Sequence, residues 1–502
     1  MVRWRRRLGA ALFAAAGIAV ACVGEDPGTT PSSVLDGGGD PAEDAGGTAA
    51  CLAPKATCGA DCADLQSDPA HCGDCTTACP STTCFEGVCS GDKIKQVSTG
   101  NTSTCALRVS GAVYCWGRGD VATLGQRFES GGVPCDGVAA CQPVPLKVPN
   151  LEPVESMSVA HQAACVVTKK QEVYCWGRNH VGELGVPLAQ SQTCDNDACV
   201  DKPTKVAGLP AGVTQVSLGF SSACARTTAG EVWCWGANSV GQLGRGDLTP
   251  SEVPVKVNLS GPASQITVST EPFAHACAVV GNRVWCWGAN GAESLGHDST
   301  GDQFCTDGAQ KCNPTPTKIT AVSDSLNVGS VIAGAAHTCA LTHQGDVYCW
   351  GYGGYNAGPI GTSSAVGRKI PSTTPVKALA GRRGTACILR SDGSVGCWGM
   401  SNDARLGYIE ANGGTPCVAG ALWSCNNGNP SPIATAQITH LDMFENGFAL
   451  REDGRLFAWG PGHAVNLARS PAASPTSCPK LNGEAGSTPC ADVPVEIVLP
   501  TH

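Results

Sequence analysis

The sequence predicts an all-β chain whose main body is a seven-bladed β-propeller of four-stranded blades, preceded by a small disulfide-rich module and a disordered linker. Three observations carry this expectation. One core recurs seven times, from TCALRVSGAVYCWG at 104–117 to GFALREDGRLFAWG at 447–460, with the first Cys (Phe448 in the last) at steps of 60, 59, 53, 62, 48 and 61 residues. Each core is apolar on both of its strand faces, so every sheet needs cover on both sides. Residues 93–502 divide into seven units of about 59 residues, the repeat length of a four-stranded blade, with no remainder.

Composition bounds the rest. The chain has 502 residues, 15% charged, with a formal net charge of -9. That balance argues against nucleic acid, which demands a Lys/Arg footprint. Gly 64 and Pro 33 mean many turns, and Cys 31 points to an oxidising compartment.

Residues 1–22 read as an address. Arg3, Arg5, Arg6 and Arg7 precede the run LGAALFAAAGIAVA, too short to span a bilayer as a helix. Ala19-Val20-Ala21-Cys22 resembles a bacterial lipobox, which implies acylation of Cys22 as the mature N-terminus; cleavage after Ala21 without acylation is the alternative. Val23 stands where Asp would mark inner-membrane retention, so the expected place is the outer membrane, facing the periplasm or the cell surface. Residues 23–50 are Gly, Pro, Asp, Thr and Ser with little to bury, and read as a disordered linker.

Residues 51–92 form the Cys-rich module, with Cys51, Cys58, Cys62, Cys72, Cys75, Cys79, Cys84 and Cys89. A core this small needs staples, and connectivity is not readable from spacing. Cys72-Gly73-Asp74-Cys75 beside His71 offers a metal-binding reading; the exported setting favours disulfides. The run CADLQSDPAHCGDCTTACPSTTCFEGVC resembles the cysteine module of stigma-specific-type proteins.

Within 93–502 each core reads as a hairpin. Cys105-Ala106-Leu107-Arg108 meets a Gly-bearing turn and Val113-Tyr114-Cys115-Trp116 returns. An inner strand such as Gln215-Val216-Ser217-Leu218 precedes it, and a Pro-led strand such as Val253-Pro254-Val255-Lys256-Val257 follows. Trp116, Trp176, Trp235, Trp287, Trp350, Trp398 and Trp459 are expected as core wedges between blades.

The motif resembles the regulator of chromosome condensation repeat family. After the W-G comes an x-L-G element, here Leu124-Gly125, Leu184-Gly185, Leu243-Gly244, Leu295-Gly296 and Leu406-Gly407, with Ile360-Gly361 in the fifth repeat. The resemblance covers about four-fifths of the chain and implies the same seven-bladed ring. The seventh repeat departs most, lacking both Cys and having Leu467-Ala468 for Leu-Gly. It is a candidate closing blade built from both chain ends, 94–98 and 493–499; a six-bladed ring with a loose seventh repeat is the alternative.

The propeller cysteines sort into two sets of expected disulfides. Six pairs flank the hairpin turns: Cys105/Cys115, Cys165/Cys175, Cys224/Cys234, Cys277/Cys286, Cys339/Cys349 and Cys387/Cys397. Five more follow the W-G: Cys135/Cys141, Cys194/Cys199, Cys305/Cys312, Cys417/Cys425 and Cys478/Cys490. With the module, only Cys22 is left odd, as a lipid anchor requires. The five inserted loops share one phase of the repeat and should emerge on one rim as rigid binding loops. Trp423, inside one of them, is the binding candidate.

No catalytic set stands out, and no cofactor or metal is expected. His161, His275 and His337 precede a repeat Cys and read as structural, with a lining of the central channel as the other reading. The Asp-rich loop Cys194-Asp195-Asn196-Asp197-Ala198-Cys199 lacks the acid pattern of a calcium loop. Ser391-Asp392-Gly393 looks like a sialidase Asp-box with the wrong spacing. The expected function is an exported, lipid-anchored scaffold binding a protein or a surface glycan without catalysis. The alternatives are an extracytoplasmic propeller hydrolase acting on glycans, and metal storage by the small module.

Overall fold

The repeat cores close as hairpins because their apolar residues alternate and a left-handed residue sits between the strands. In six repeats a three-residue connection ends on a positive φ, supplied by Gly111, Gln171, Gly230, Gly345, Gly393 or Gly454. The fourth repeat turns on two residues, Gly281 at φ 56° and Asn282 at φ 60°, the signature of a type I′ turn. That difference explains why its cysteines are nine residues apart and the others ten.

Six disulfides cross these hairpins: Cys105–Cys115, Cys165–Cys175, Cys224–Cys234, Cys277–Cys286, Cys339–Cys349 and Cys387–Cys397. Each pair is directly opposed, with Cα–Cα distances of 4.0–4.1 Å, the close spacing of a non-hydrogen-bonded antiparallel pair. The second cysteine of each pair lies mid-sheet. Cys175 and Cys349, for example, face Thr204 and Arg368 of the fourth strand, just before a register shift at Gly177 and Gly351.

The computed structural model describes 92–119, 121–126, 133–135, 138–194, 197–271, 274–352, 363–400, 425–433, 437–444, 446–461, 476–479, 487–497 and 499, with short strands at 56–58, 61–63, 84–85 and 88–89. The chain divides into two units, Met1–Ala49 and Ala50–His502, and the described residues lie in the second. Cys22 and the linker fall outside the described residues, as does the module apart from those short strands. Among the described residues no helix is long and apolar enough to cross a membrane.

Seven antiparallel sheets of 93–502 follow one another. The innermost strands are Ile94–Thr99, Val154–Ala160, Val213–Leu218, Ala263–Val268, Val328–Ala333, Val376–Arg382 and Ile438–Met443. Two hairpin strands follow in each, and then a fourth strand, which carries Pro in six blades, as in Ser251–Lys256, but not in the fifth, Ser363–Lys369. Blades one, two, four and seven carry a short fifth strand on the outer edge.

One packing rule runs round the ring: the hairpin disulfide of one blade lies against the Trp of the next. Cys105 and Cys115 share a core cluster with Trp176, Cys165 and Cys175 with Trp235, and Cys224 and Cys234 with Trp287. Cys277 and Cys286 share one with Trp350, Cys339 and Cys349 with Trp398, and Cys387 and Cys397 with Trp459. The seven tryptophans are at most 1% exposed. Their indole N–H groups reach back: Trp176 Nε1 donates to Thr123 O at 3.1 Å and Trp235 Nε1 to Glu183 O at 3.0 Å. The x-L-G glycine permits this contact. Gly185 sits at φ 67°, and a Cβ there would lie 2.7 Å from Val206 Cγ1 and 3.1 Å from Trp235 Nε1.

The seventh blade obeys the same rule without sulfur. Phe448 and Ala458 occupy the opposed positions of the missing cysteines and pack on Trp116 of the first blade. A large and a small side chain fill the volume of a cystine, which accounts for the joint loss of both Cys. The Trp116 and Phe448 rings meet edge to face, centroids 6.2 Å apart.

Two expectations are corrected here. No blade is assembled from both chain ends: Ile94–Thr99 is the innermost strand of the first blade, and Ser487–Ile497 the fourth strand of the seventh. The seventh repeat supplies its own inner strand, Ile438–Met443, so its sheet has no place for a strand from the first. The six-bladed alternative falls with it.

Candidate functional site: the stapled face and the channel mouth

The inserted loops leave the blades at one place. The residue after each W-G is in register with the second loop cysteine: Arg118 with Cys141, Arg178 with Cys199, Ala289 with Cys312, Met400 with Cys425 and Pro461 with Cys490. Arg118, Arg178 and Ala289 also donate to the turn after the innermost strand, as in Arg178 N to Gln162 O at 2.9 Å and Ala289 N to Ala274 O at 3.0 Å. Inserted hairpins and inner turns therefore share one face of the ring.

The two sets of sequence-marked cysteines separate in space. The hairpin set is buried between blades and is no part of a binding surface; Cys105, Cys115, Cys165, Cys175, Cys234, Cys277, Cys286, Cys339, Cys349, Cys387 and Cys397 are fully buried and Cys224 is 1% exposed. Of the loop set, Cys141, Cys199, Cys312, Cys425 and Cys490 stand at the roots of the inserted loops. Cys194 and Cys199 are bonded, with Cα atoms 5.8 Å apart, and Cys141 is in a disulfide. Cys305 and Cys312 are the exception and a correction: both are buried thiols. Gln303 opposes Cys312, so Cys305 stands two residues past the opposed position, as Cys194 does relative to Cys199. The two thiols are in side-chain contact, and burial pushes both up in pKa. The side chains of Cys135, Cys417, Cys425, Cys478, Cys490 and Trp423 lie outside the described residues.

Inside the ring runs a channel of about 200 Å³, lined by the seven innermost strands. Its polar side chains clasp the neighbouring blade's backbone. Gln96 Nε2 donates to Met157 O at 2.8 Å while its Oε1 accepts from Met157 N at 3.1 Å. Gln215 does the same to Ile266, and Gln265 to Val331. Ser98, Ser158 and Ser217 hydroxyls accept the N–H groups of Val159, Leu218 and Val268, each at 3.0 Å. At the seam of the ring, Asp442 Oδ2 accepts from Thr99 N at 2.8 Å and His440 Nε2 donates to Val97 O at 3.2 Å. Inner-strand alternation was the available sequence signal for these residues; their partners 51 to 343 residues away carried none.

The three histidines singled out in the sequence do not line this channel. His275 and His337 begin second strands and are fully buried between blades. His275 Nε2 is 2.8 Å from Thr338 Oγ1, which donates to Ser294 O at 2.7 Å. Burial lowers the pKa of His275 to about 3, with His337 adding to the effect, and that of His337 to about 4.

His161 sits instead at the channel mouth, in the turn after Val154–Ala160, at φ 47°. Its ring meets Phe220 edge to face at 4.5 Å. Burial lowers its pKa to about 4, helped by the positive charges of Arg178 and Arg383 and opposed by Asp197. Asp197, on the stapled hairpin, holds Arg178 Nε at 2.7 Å and His180 Nδ1 at 3.1 Å. From the sixth blade Arg382 donates to Val159 O of the second, and Arg383 Nε lies 3.5 Å from Glu271 Oε1 of the fourth. Among the described residues no group of three or more His, Cys, Asp or Glu could hold a metal ion. Asp392 accepts from Ser394 N at 2.9 Å within a hairpin turn, a structural use of the Asp-box-like run.

Comparison with known proteins follows the same lines. The regulator of chromosome condensation (RCC1) repeat matches residues 171–225, 229–271 and 282–341, and a second form of it matches 94–122, 213–242 and 330–357. The chain is similar to the ultraviolet-B receptor UVR8 of Arabidopsis thaliana, at 27% identity over 64% of this chain and 68% of that protein. It is similar to the mitochondrial RCC1 domain-containing protein RUG3 of the same plant, at 26% identity over 62% of this chain and 55% of the relative. The probable E3 ubiquitin-protein ligase HERC4 of Mus musculus is 28% identical over 47% of this chain, which spans only 21% of that ligase. Among solved structures, Prp20p of Saccharomyces cerevisiae superposes with a TM-score of 0.59 at 19% identity, covering 77% of this chain and 85% of that one. Human WBSCR16 gives a TM-score of 0.59 at 20% identity, over 78% and 94%. At such identities the likeness is one of fold. The chain folds as a seven-bladed propeller, and the segments matched above are similar to regulator of chromosome condensation repeats.

Proposed function

We propose that this protein is an exported, lipid-anchored binding scaffold that holds a partner protein on the stapled face of its ring and carries out no catalysis. The observation that carries the reading is the shared origin of the inserted hairpins, all rooted beside the inner turns on one face. A rigid ring presents such loops at small entropic cost, and the hairpin 192–199 is pinned at its base by Cys194–Cys199. The non-catalytic part rests on the channel, where Gln96, Gln215, Gln265, Ser98, Ser158, Ser217 and Asp442 are engaged by backbone groups of the next blade. Groups held in that way are positioned for structure and not for proton transfer. Prp20p, of similar fold, is described by its binding to Gsp1p and histones, and its complex with Kap60 is known; a protein partner is the corresponding expectation here. Export and the anchor rest on the Arg-led apolar run ending at Cys22 and on the cysteine count.

The test is cross-linking mass spectrometry on the protein retained from an envelope extract of the native source. Expected cross-links fall on the hairpins 133–141, 192–199 and 303–312; cross-links confined to the opposite turns at 109–111 and 169–171 overturn the choice of face. Retention of a glycan in place of a protein overturns the partner class. The anchor is tested by the mass of the mature N-terminus, expected to begin at an acylated Cys22 and contradicted by an unmodified one.

A further inference from the structure

Three arginines meet where the channel opens on the stapled face. Arg178 comes from the third strand of the second blade, and Arg382 and Arg383 from the end of the sixth blade's innermost strand and its turn. Arg382 reaches past the seventh and first blades to the carbonyl of Val159 on the second, and Arg383 reaches Glu271 on the fourth. Arg382 lines the channel as well, so these reaches carry guanidinium groups from its wall across the opening. Val159 lies two residues from His161, and His161 senses both Arg178 and Arg383.

Backbone cost marks the same spot. His161 at φ 47° and Arg383 at φ 52° are both non-glycine residues held in the left-handed region, where a side chain is disfavoured. The His161 carbonyl is tied to Asn101 N at 3.1 Å and the Arg383 carbonyl to Ala335 N at 2.8 Å, so the turns are fixed from neighbouring blades. Two strained turns, one bearing an edge-stacked His161–Phe220 pair and the other the arginines, face one opening.

The charges there are unevenly answered. Arg178 is matched by Asp197, and Arg383 by Glu271 at the longer distance of 3.5 Å. The hydrogen bond of Arg382 goes to a neutral carbonyl. Asp442 stands on the inner strand, already accepting from Thr99 N. Three guanidinium groups thus stand with the carboxylates of Asp197, Glu271 and Asp442, and Arg382 is the one held by a neutral acceptor, which favours an added carboxylate there.

Building on the scaffold reading above, we propose that the channel mouth ringed by Arg382, Arg383 and Arg178, with Phe220 beside it, docks an acidic segment of a partner protein, whose carboxylates take the guanidinium groups. Arg382 would exchange its carbonyl for a charged acceptor, a stronger and bidentate partner.

The test uses the full chain and a fluorescein-labelled hexaglutamate peptide, read by anisotropy at low and high salt. Expected is saturable binding that weakens as salt rises, because exposed charges are screened. Arg382→Gln and Arg383→Gln should each weaken it about tenfold. Arg382→Lys, which keeps the charge and loses the bidentate fork, should bind between the wild type and Arg382→Gln, and Arg455→Gln, on the opposite face, should leave binding unchanged. No binding by the wild type, equal loss in Arg455→Gln, or tighter binding of an RNA oligomer of matched charge each overturns the proposal. Circular dichroism on every variant separates lost fold from lost site. A probe indifferent to both arginines, with the partner still retained on the stapled hairpins, removes this site and leaves the scaffold reading standing; failure of any retention by the wild type removes the scaffold reading itself.

Discussion

At the scale of single residues, the repeat's invariants are places where one blade touches the next. Gly185 needs both its positive φ and its missing Cβ, since Val206 and Trp235 occupy that space. Gly185→Ala should therefore cost about 2–3 kcal/mol, from strain plus overpacking. Gly208→Ala, at φ 82° with its nearest neighbour 3.8 Å away, should cost only about 1 kcal/mol. Urea melts of the two variants check the ranking. Glu183 is a buried acid in the same loop, 3% exposed, accepting from Val181 N at 2.7 Å, and burial raises its pKa. A raised folded pKa means its contribution is full below the unfolded value near 4.5 and is lost as pH rises through the folded one. Glu183→Gln, which copies Gln242 of the third blade, should raise the melting temperature at pH 7, with the gain shrinking toward pH 4. His275 and His337 act in the opposite sense. Their lowered pKa values mean stability is full above pH 6.5 and lost as pH falls toward about 3 and 4. His275→Gln should lose less stability than wild type over that window in a pH series of thermal melts.

At the scale of the hairpin, cystine is both a bond and a space-filler. Removing the bond by Cys224→Ser with Cys234→Ser should cost about 2–3 kcal/mol from the unfolded chain alone, with more from two hydroxyls placed against Trp287. Cys224→Phe with Cys234→Ala transplants the Phe448–Ala458 arrangement of the seventh blade. It should melt above the double serine variant although neither has the bond, and a differential scan of both decides the point. The hairpins, their cysteine pairs and the buried tryptophans were legible in the sequence because each is written within about fifteen residues and repeated. Asn179, Asn238 and Asn290 were not singled out, although each holds the x-L-G turn through its Oδ1 to the N–H of Leu184, Leu243 and Leu295. The signal was present, since all three stand at one fixed place just past the W-G. The Gln and Ser clasps and the meeting of Arg178, Arg382 and Arg383 were not legible, because their partners lie in other blades and no local pattern encodes them.

At the scale of the whole ring, closure depends on side chains. Blades one and seven share no strand; they are joined by Trp116 on Phe448, by Asp442 and His440 on the first inner strand, and by Ile94, Val97, Ile497 and Leu499. The seventh repeat suggests a shared blade because it lacks the cysteines that mark the others; the volume of Phe448 shows that it completes its own hairpin. The same seam brings Lys93 of the first blade against Gly454 of the seventh, beside Glu452, Asp453 and Glu496. Zero-length carbodiimide cross-linking of the monomer, followed by peptide mapping, reads this contact directly. Lys95 and Glu155, 2.6 Å apart on consecutive blades, serve as the internal control. A closed ring predicts a peptide joining Lys93 to a carboxylate within 452–453 or at 496. Recovery of the Lys95–Glu155 product in good yield with no link from Lys93 to the seventh blade would contradict it.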